Sequence, residues 1–253
     1  MARTVDAVAA RLAAGGRWFY AGAGTSGRLA MLDAAELRPT YGVDASLVTV
    51  IMAGGERAFL HAAEGAEDDA EAGAEQVRAL VTSKDALVGV AASGTTPFTV
   101  AAVRAAKGIG AFTAGIACRP GTPLVLEPDV VDVGIVADVG PEVIMGSTRM
   151  KSGTAQKLIM NALSTAVMIR LGRVYGDLMI DMPPTNEKLR ARAVRMVELA
   201  SGASREASAA ALRSASGEIK VAVLMLRKGH DPDAARRALA AHGGRLRSAL
   251  EVS

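Results

Sequence analysis

"WFYAGAGTSGRLAMLDAAEL", residues 18–37, decides how this chain is read. An apolar run enters Gly22-Ala23-Gly24-Thr25-Ser26-Gly27, and a helix-like pattern leaves it. The spacing is G-x-G-x-x-G, the loop that brings a pyrophosphate to a helix N-terminus in dinucleotide-binding units. Those units also place an acidic residue at the end of the second strand, for the ribose. Here the second strand candidate, "LVTVIMA" (47–53), runs into Gly54-Gly55, with Glu56 only after both glycines. Asp44 precedes that strand and so sits at its wrong end. NAD is therefore not the expected ligand.

Working outward, short apolar runs alternate with longer amphipathic segments. Strand candidates are 17–22, 47–53, 86–92, 111–117 and 130–136, and helix candidates lie at about 27–38, 66–82 and 97–108. Near-continuous apolar strands separated by helices predict an α/β fold with a parallel sheet covered on both faces. A long helix is expected over 149–171 and another from Glu187. Composition shifts near Ser201-Gly202, which divides the chain into 1–201 and a small helical domain, 202–253. That second part reads as three Ala-rich helices (204–213, 216–228, 231–251) with breaks at Gly229 and Gly243-Gly244. Asp231 can cap the last of them, and Pro232 suits the first helical position.

The strand at 86–92 ends in Ser93-Gly94-Thr95-Thr96-Pro97, again just before a helix. Two parallel strands thus each deliver a hydroxyl-rich loop to a helix start, at the sheet edge where open α/β folds bind ligands. Hydroxyls and helix-start N–H groups hold a phosphate monoester without a lysine, so the first loop's glycines are read as room for a monophosphate. Taken singly, any of these Ser and Thr residues is an ordinary helix cap. A third cluster, "GPEVIMGSTRMKSGTAQK" (140–157), puts Ser147, Thr148, Arg149 and Lys151 at the start of the long helix. Cations are unfavourable there, so an anion that neutralises them is expected.

The totals narrow the classes. Among 253 residues half are hydrophobic but only 3% aromatic, and the net charge is +3. The basic residues are scattered, without the stripe and interleaved aromatics of a nucleic-acid binder. Cys118 is the single cysteine, and His61, His230 and His242 match no metal-ligand spacing. No apolar run approaches the roughly 20 residues that span a membrane, and the N-terminus reads as a helix, not a signal peptide. A cytoplasmic protein with no nucleic-acid or membrane partner is expected. Of the acidic residues, Glu36 lies near the end of the first loop's helix, and Glu64 and Glu67 share a helix face if that helix has begun. Spacing alone makes none of them a catalyst, because most carboxylates are solvated surface groups.

Taken together, "GAGTSGRLAMLDAAE", "AGG" then "AAEGAEDD", "GVAASGTTP", "GPEVIMGSTRMKSGTAQK" and "LMIDMPPTNEKLRAR" resemble the N-acetylmuramic acid 6-phosphate etherases, a branch of the sugar isomerase (SIS) fold. The resemblance runs from about residue 5 to the C-terminus. It implies a three-layer SIS-type sheet with a small C-terminal helical domain, and cleavage of the D-lactyl ether of N-acetylmuramic acid 6-phosphate in cell-wall (amino sugar) recycling. The products are N-acetylglucosamine 6-phosphate and D-lactate. It implies no metal or organic cofactor, a sugar 6-phosphate substrate and a homodimer, with the apolar 158–171 helix face in the contact. By the matching motifs, Glu36 is the acid at the departing lactate oxygen and Glu67 the base at C2, with Glu64 a candidate helper. The phosphate meets Thr25, Ser26, Ser93, Thr95 and Thr96, with Ser147 and Thr148 close by. Two departures stand out. Thr95 replaces the arginine of the family's usual S-G-R-T-P, and family members generally begin several helical turns upstream of this Met1.

Two other functions fit the same loops. A sugar-phosphate-sensing regulatory SIS protein would bind the ligand without turnover and needs no acid/base pair. An aldose–ketose isomerase would yield a ketose phosphate and no lactate.

Overall fold

The computed structural model describes residues 1–251. In chain order the elements are α1 (Ala2–Ala13), β1 (Trp18–Gly22), α2 (Gly24–Tyr41), β2 (Val48–Met52), α3 (Arg57–Leu60) and α4 (Ala70–Leu80). Then follow β3 (Ala86–Val90), α5 (Pro97–Ile109), β4 (Phe112–Ala117), α6 (Pro123–Leu126) and β5 (Val133–Val136). Six helices complete the described chain: α7 (Lys151–Arg170), α8 (Glu187–Ser201), α9 (Arg205–Ser214), α10 (Ile219–Lys228), α11 (Pro232–Ala241) and α12 (Leu246–Glu251).

The five strands form one parallel sheet in the order β2-β1-β3-β4-β5. Every residue of β1 and β3 is buried, which is why both read as unbroken apolar runs without alternation. On one face Phe19, Ala21 and Leu87 share a core with Val77 of α4, Phe98 and Val103 of α5, and Leu124 of α6. On the other face the buried Tyr20 hydroxyl donates to Asp33 Oδ2 of α2 at 2.9 Å. From α7, Asn161 Nδ2 (2.7 Å) and Ser164 Oγ (2.9 Å) donate to Asp33 Oδ1. Burial, and then the Asp33 carboxylate beside it, push the Tyr20 phenol well above its ordinary pKa. The sheet is therefore covered on both sides.

Register settles where the loops emerge. Gly22 lies opposite both Met52 and Val90, so β1, β2 and β3 end level. Between β1 and β3 the strand order reverses, and the crevice beyond that point is where such sheets take ligands. Both hydroxyl-rich loops open there.

Several boundaries differ from the sequence expectation. Helix α2 starts at Gly24, inside the loop itself. The segment expected as one helix over 66–82 is a 3-10 turn, Ala66–Asp68, followed by α4. The restart comes because Asp69 takes a cap position and accepts the Ala72 N–H at 2.9 Å. The helix expected over 231–251 is two, α11 and α12, parted where Gly243 and Gly244 adopt positive φ.

The chain forms two compact units, Met1–Ala35 with Asp44–Val167, and Glu36–Val43 with the chain from Met168 onward. The boundary between these units lies inside α7. The reason is the second unit's core: Val197 and Ala200 of α8 are packed with Leu212 of α9 and Leu224 of α10, and with Ile180 and Met182 before them. In that unit Lys220 donates to Asp181 Oδ2 at 2.6 Å and to the Gly244 carbonyl at 2.8 Å. Burial lowers the Lys220 pKa, partly offset by Asp181. Asp231 accepts the Ala234 N–H at 2.7 Å, with Pro232 in the first turn, as the sequence predicts.

Candidate active site

The loop after β1 opens onto two adjoining cavities in the first unit. The larger, about 360 Å³, is lined by Thr25 and Ser26 of α2 and by Ser93, Thr95 and Thr96 of the second loop. Glu67 and Thr148 line it too. The smaller, about 210 Å³, is lined by Arg28, Glu64 and again Glu67. Glu67 thus borders both, whereas Glu64 borders only the smaller. Gly146 and Thr148 line the larger cavity, and the half-buried Ser147 between them does not. Glu36 is exposed on α2, in the segment grouped with the second unit, and lines neither.

Local chemistry explains how each loop is held. Ser93 Oγ accepts the Thr95 N–H at 3.2 Å and lies 3.4 Å from Thr96 Oγ1. Gly94 has φ +70°, and a Cβ there would fall 2.0 Å from Thr122 Oγ1, so only glycine makes this turn. In the first loop the glycines divide their work. A Cβ on Gly27 would sit 2.2 Å from Met52 Sδ and 2.9 Å from the Gly22 carbonyl oxygen. Gly22 and Gly27 therefore let α2 start hard against the strand ends, and neither lines a cavity. Only Gly24 does so, in both. Of the three glycines expected to leave room for a monophosphate, Gly24 alone borders the cavities.

Arg28 is absent from the expected site, yet it shapes it. Its guanidinium donates to the carbonyls of Ala58 (3.0 Å), Phe59 (3.2 Å) and His61 (3.1 Å). These bonds tie α2 to the segment that leads to Glu64 and Glu67. No lysine or arginine lines the larger cavity, so an anion there relies on hydroxyls, backbone N–H groups and helix dipoles.

The anion expected at the start of α7 is part of the chain itself. Glu142 accepts the N–H groups of Lys151 (3.0 Å) and Ser152 (2.9 Å), and these bonds hold its carboxyl below the usual range. Lys151 Nζ donates to the Pro141 carbonyl at 2.9 Å. The first turn of α7 is filled, which corrects the reading of that cluster as a further anion seat. Its remaining contributions to the cavity are Gly146 and Thr148.

Among the described residues no group of three or more His, Cys, Asp or Glu is arranged to hold a metal ion, and no helix is long and apolar enough to cross a membrane.

The chain is similar to known proteins. Residues 1–107 match the model for the glucokinase regulatory protein N-terminal SIS domain. A candidate phosphosugar isomerase involved in capsule formation, from Bacteroides fragilis, superposes with a TM-score of 0.52 at 20% identity. It covers 69% of this chain and 81% of its own, and it supports the SIS-type sheet alone. Sequence relatives are far nearer. An N-acetylmuramic acid 6-phosphate etherase of Rubrobacter xylanophilus is 53% identical over 251 residues, 99% of this chain and 82% of the relative. One from Salmonella typhimurium is 49% identical over 252 residues, 99% of this chain and 84% of the relative. With identity of that order along almost its whole length, the chain belongs to the N-acetylmuramic acid 6-phosphate etherase family.

Proposed function

We propose that this protein cleaves the D-lactyl ether of N-acetylmuramic acid 6-phosphate, giving N-acetylglucosamine 6-phosphate and D-lactate. The observation that carries the site assignment is one cavity that holds five hydroxyl side chains at two helix starts together with the Glu67 carboxylate. The hydroxyls suit a phosphate monoester, and a carboxylate beside them suits proton transfer on the same sugar.

The chemistry asks little more. Once the sugar ring opens, the C1 aldehyde acidifies the C2–H. Glu67 removes that proton as a carboxylate, and the C3–O bond breaks with lactate leaving. A carboxylic acid, assigned to Glu36, protonates the departing oxygen. Water then adds at C3 across the unsaturated aldehyde, and C2 regains a proton. Elimination and hydration need no redox partner, and the two carboxyls return to their starting states.

Glu36 enters this scheme through the homodimer. Leu32 and Leu158 are half exposed on α2 and α7, apolar surface that a second copy would cover. Leu32 and Glu36 are four residues apart and share a face of α2. A contact through Leu32 therefore brings Glu36 to the partner copy. A monomer in light scattering removes this part of the proposal. A cytoplasmic location fits the substrate and is proposed with it.

The test is incubation with N-acetylmuramic acid 6-phosphate and an enzymatic D-lactate assay. Wild type releases lactate, Glu67→Gln abolishes release, and Glu36→Gln slows it strongly. Full activity of the double variant sinks the mechanism. Saturable binding without turnover would instead make this a sensor, the reading that an acid/base pair disfavours.

A further inference from the structure

Gln156, on α7, is wholly buried. Its Oε1 accepts the Ser26 hydroxyl at 3.0 Å, and its Nε2 has no hydrogen-bond partner among the described residues. Ser26 is itself only 7% exposed, and it lines the larger cavity. In this arrangement Ser26 spends its one proton inside the protein. Toward the cavity it offers lone pairs, which a phosphate oxygen repels. The amide wastes two donors, and orphaned buried N–H groups are rarer and costlier than under-satisfied carbonyls.

Turning the amide half a revolution about its last bond fills the same space and relieves both defects. Nε2 then donates one N–H to Ser26 Oγ, the Ser26 proton is released toward the cavity, and one N–H is left unpaired instead of two, together with the Oε1 acceptor. We propose that Gln156 is a positioning residue for the substrate phosphate: with an anion in the cavity, its amide gives Nε2 to Ser26 Oγ and aims the Ser26 O–H at the anion. The proposal rests on the reading of Ser26 as a phosphate ligand. It matters here because no cationic side chain lines the cavity, so each correctly directed donor carries a larger share of the binding.

Inorganic phosphate binding by calorimetry, etherase kinetics and thermal melting of the full chain test it with four variants. Ser26→Ala is expected to weaken phosphate binding about tenfold, the worth of one hydrogen bond to a charged group. Gln156→Met keeps the volume and removes the orphaned donors. It should weaken phosphate about fivefold and raise KM more than it lowers kcat, with no fall in Tm. The Ser26→Ala/Gln156→Met variant should bind no more weakly than Ser26→Ala, because Gln156 acts through that hydroxyl. Gln156→Glu, once ionised, can only accept from Ser26 and adds charge beside the anion, so at a pH high enough to ionise it binding should fall about a hundredfold or more.

The results that overturn the idea are distinct. If Ser26→Ala binds phosphate like wild type, the foundation fails and Ser26 leaves the site. If Ser26→Ala is weakened but Gln156→Met is not, Gln156 has no positioning role. Additive losses in the double variant, or a lower Tm with kcat and KM affected alike, make Gln156 merely structural. Should Gln156→Met fail to fold, wild-type phosphate binding by Gln156→Glu overturns the proposal equally.

Discussion

Helices α5 and α7 begin alike in sequence and differ in what occupies their first turns. At α7 the chain supplies its own anion, the Glu142 carboxylate on the N–H groups of Lys151 and Ser152. At α5 the cap residue is Thr96, followed by Pro97, and Thr96 makes no side-chain cap bond. At four other helices the capping side chain is in use: Asp69, Asn186, Ser204 and Asp231 each accept an N–H of the helix they precede, whereas Thr122 before Pro123 at the short α6 makes no such bond. Thr96-Pro97 and Asp231-Pro232 look equally good as helix starts. One is closed by its own side chain, and the other opens on a cavity beside Thr25, Ser26 and Glu67. What separates these two Pro-led starts is whether the cap bond is made.

The sharpest way to break this contrast is to remove the open side. Ser93→Ala/Thr96→Ala should raise KM for the sugar phosphate about 10- to 100-fold, at up to one hydrogen bond to a charged group for each hydroxyl. Because Thr96 caps nothing and the Ser93 bond to the Thr95 N–H lies in an exposed turn, Tm should fall only slightly. A clear fall in Tm with unaltered KM would show that α5 is an ordinary capped helix.

Adding charge to the open side should act in the other direction, and less. Thr95→Arg places a guanidinium at the exposed lip of the cavity, and the expected gain in phosphate affinity is about tenfold. Affinity that is unchanged, with no added salt dependence, would mean that position 95 points away from the anion.

The smallest effect belongs to the filled side. Glu142→Gln weakens the N–H acceptance at α7 and should lower Tm slightly at neutral pH. The folded-state pKa of Glu142 is lowered, so its contribution is complete above the ordinary glutamate pKa of about 4.3 and is lost as pH falls through the lower folded value. The Tm difference between wild type and variant should therefore close in acid. A gap that stays constant to below that range would mean the carboxylate charge has no part in the cap.

These contrasts also show where sequence reading stops. The strands were legible because β1 and β3 are buried on both faces and so are apolar at every position. Both loops were legible because level strand ends bring hydroxyls from far-separated segments to one crevice. Glu142 was not, since nine and ten positions separate it from the two N–H groups it accepts and no local spacing rule links them. Gln156 and Ser26 meet across 130 positions, a pairing that no pattern announces. The role of Gly27 likewise depends on Met52 of another strand. The unit boundary was obscured because α7 runs unbroken across it, whereas composition changes only later.

The level pairing of β1 with β3 also sets a timetable. The loop after β1 is among the first parts of the chain to be made, yet its partner follows a strand that begins at Ala86. Closing that long excursion costs chain entropy before any packing repays it. A growing chain therefore holds Thr25 and Ser26 in a half-built crevice until Pro97 has emerged and β3 has docked. The ligand cannot template the early steps of folding, and phosphate binding becomes a reporter that the centre of the sheet has closed.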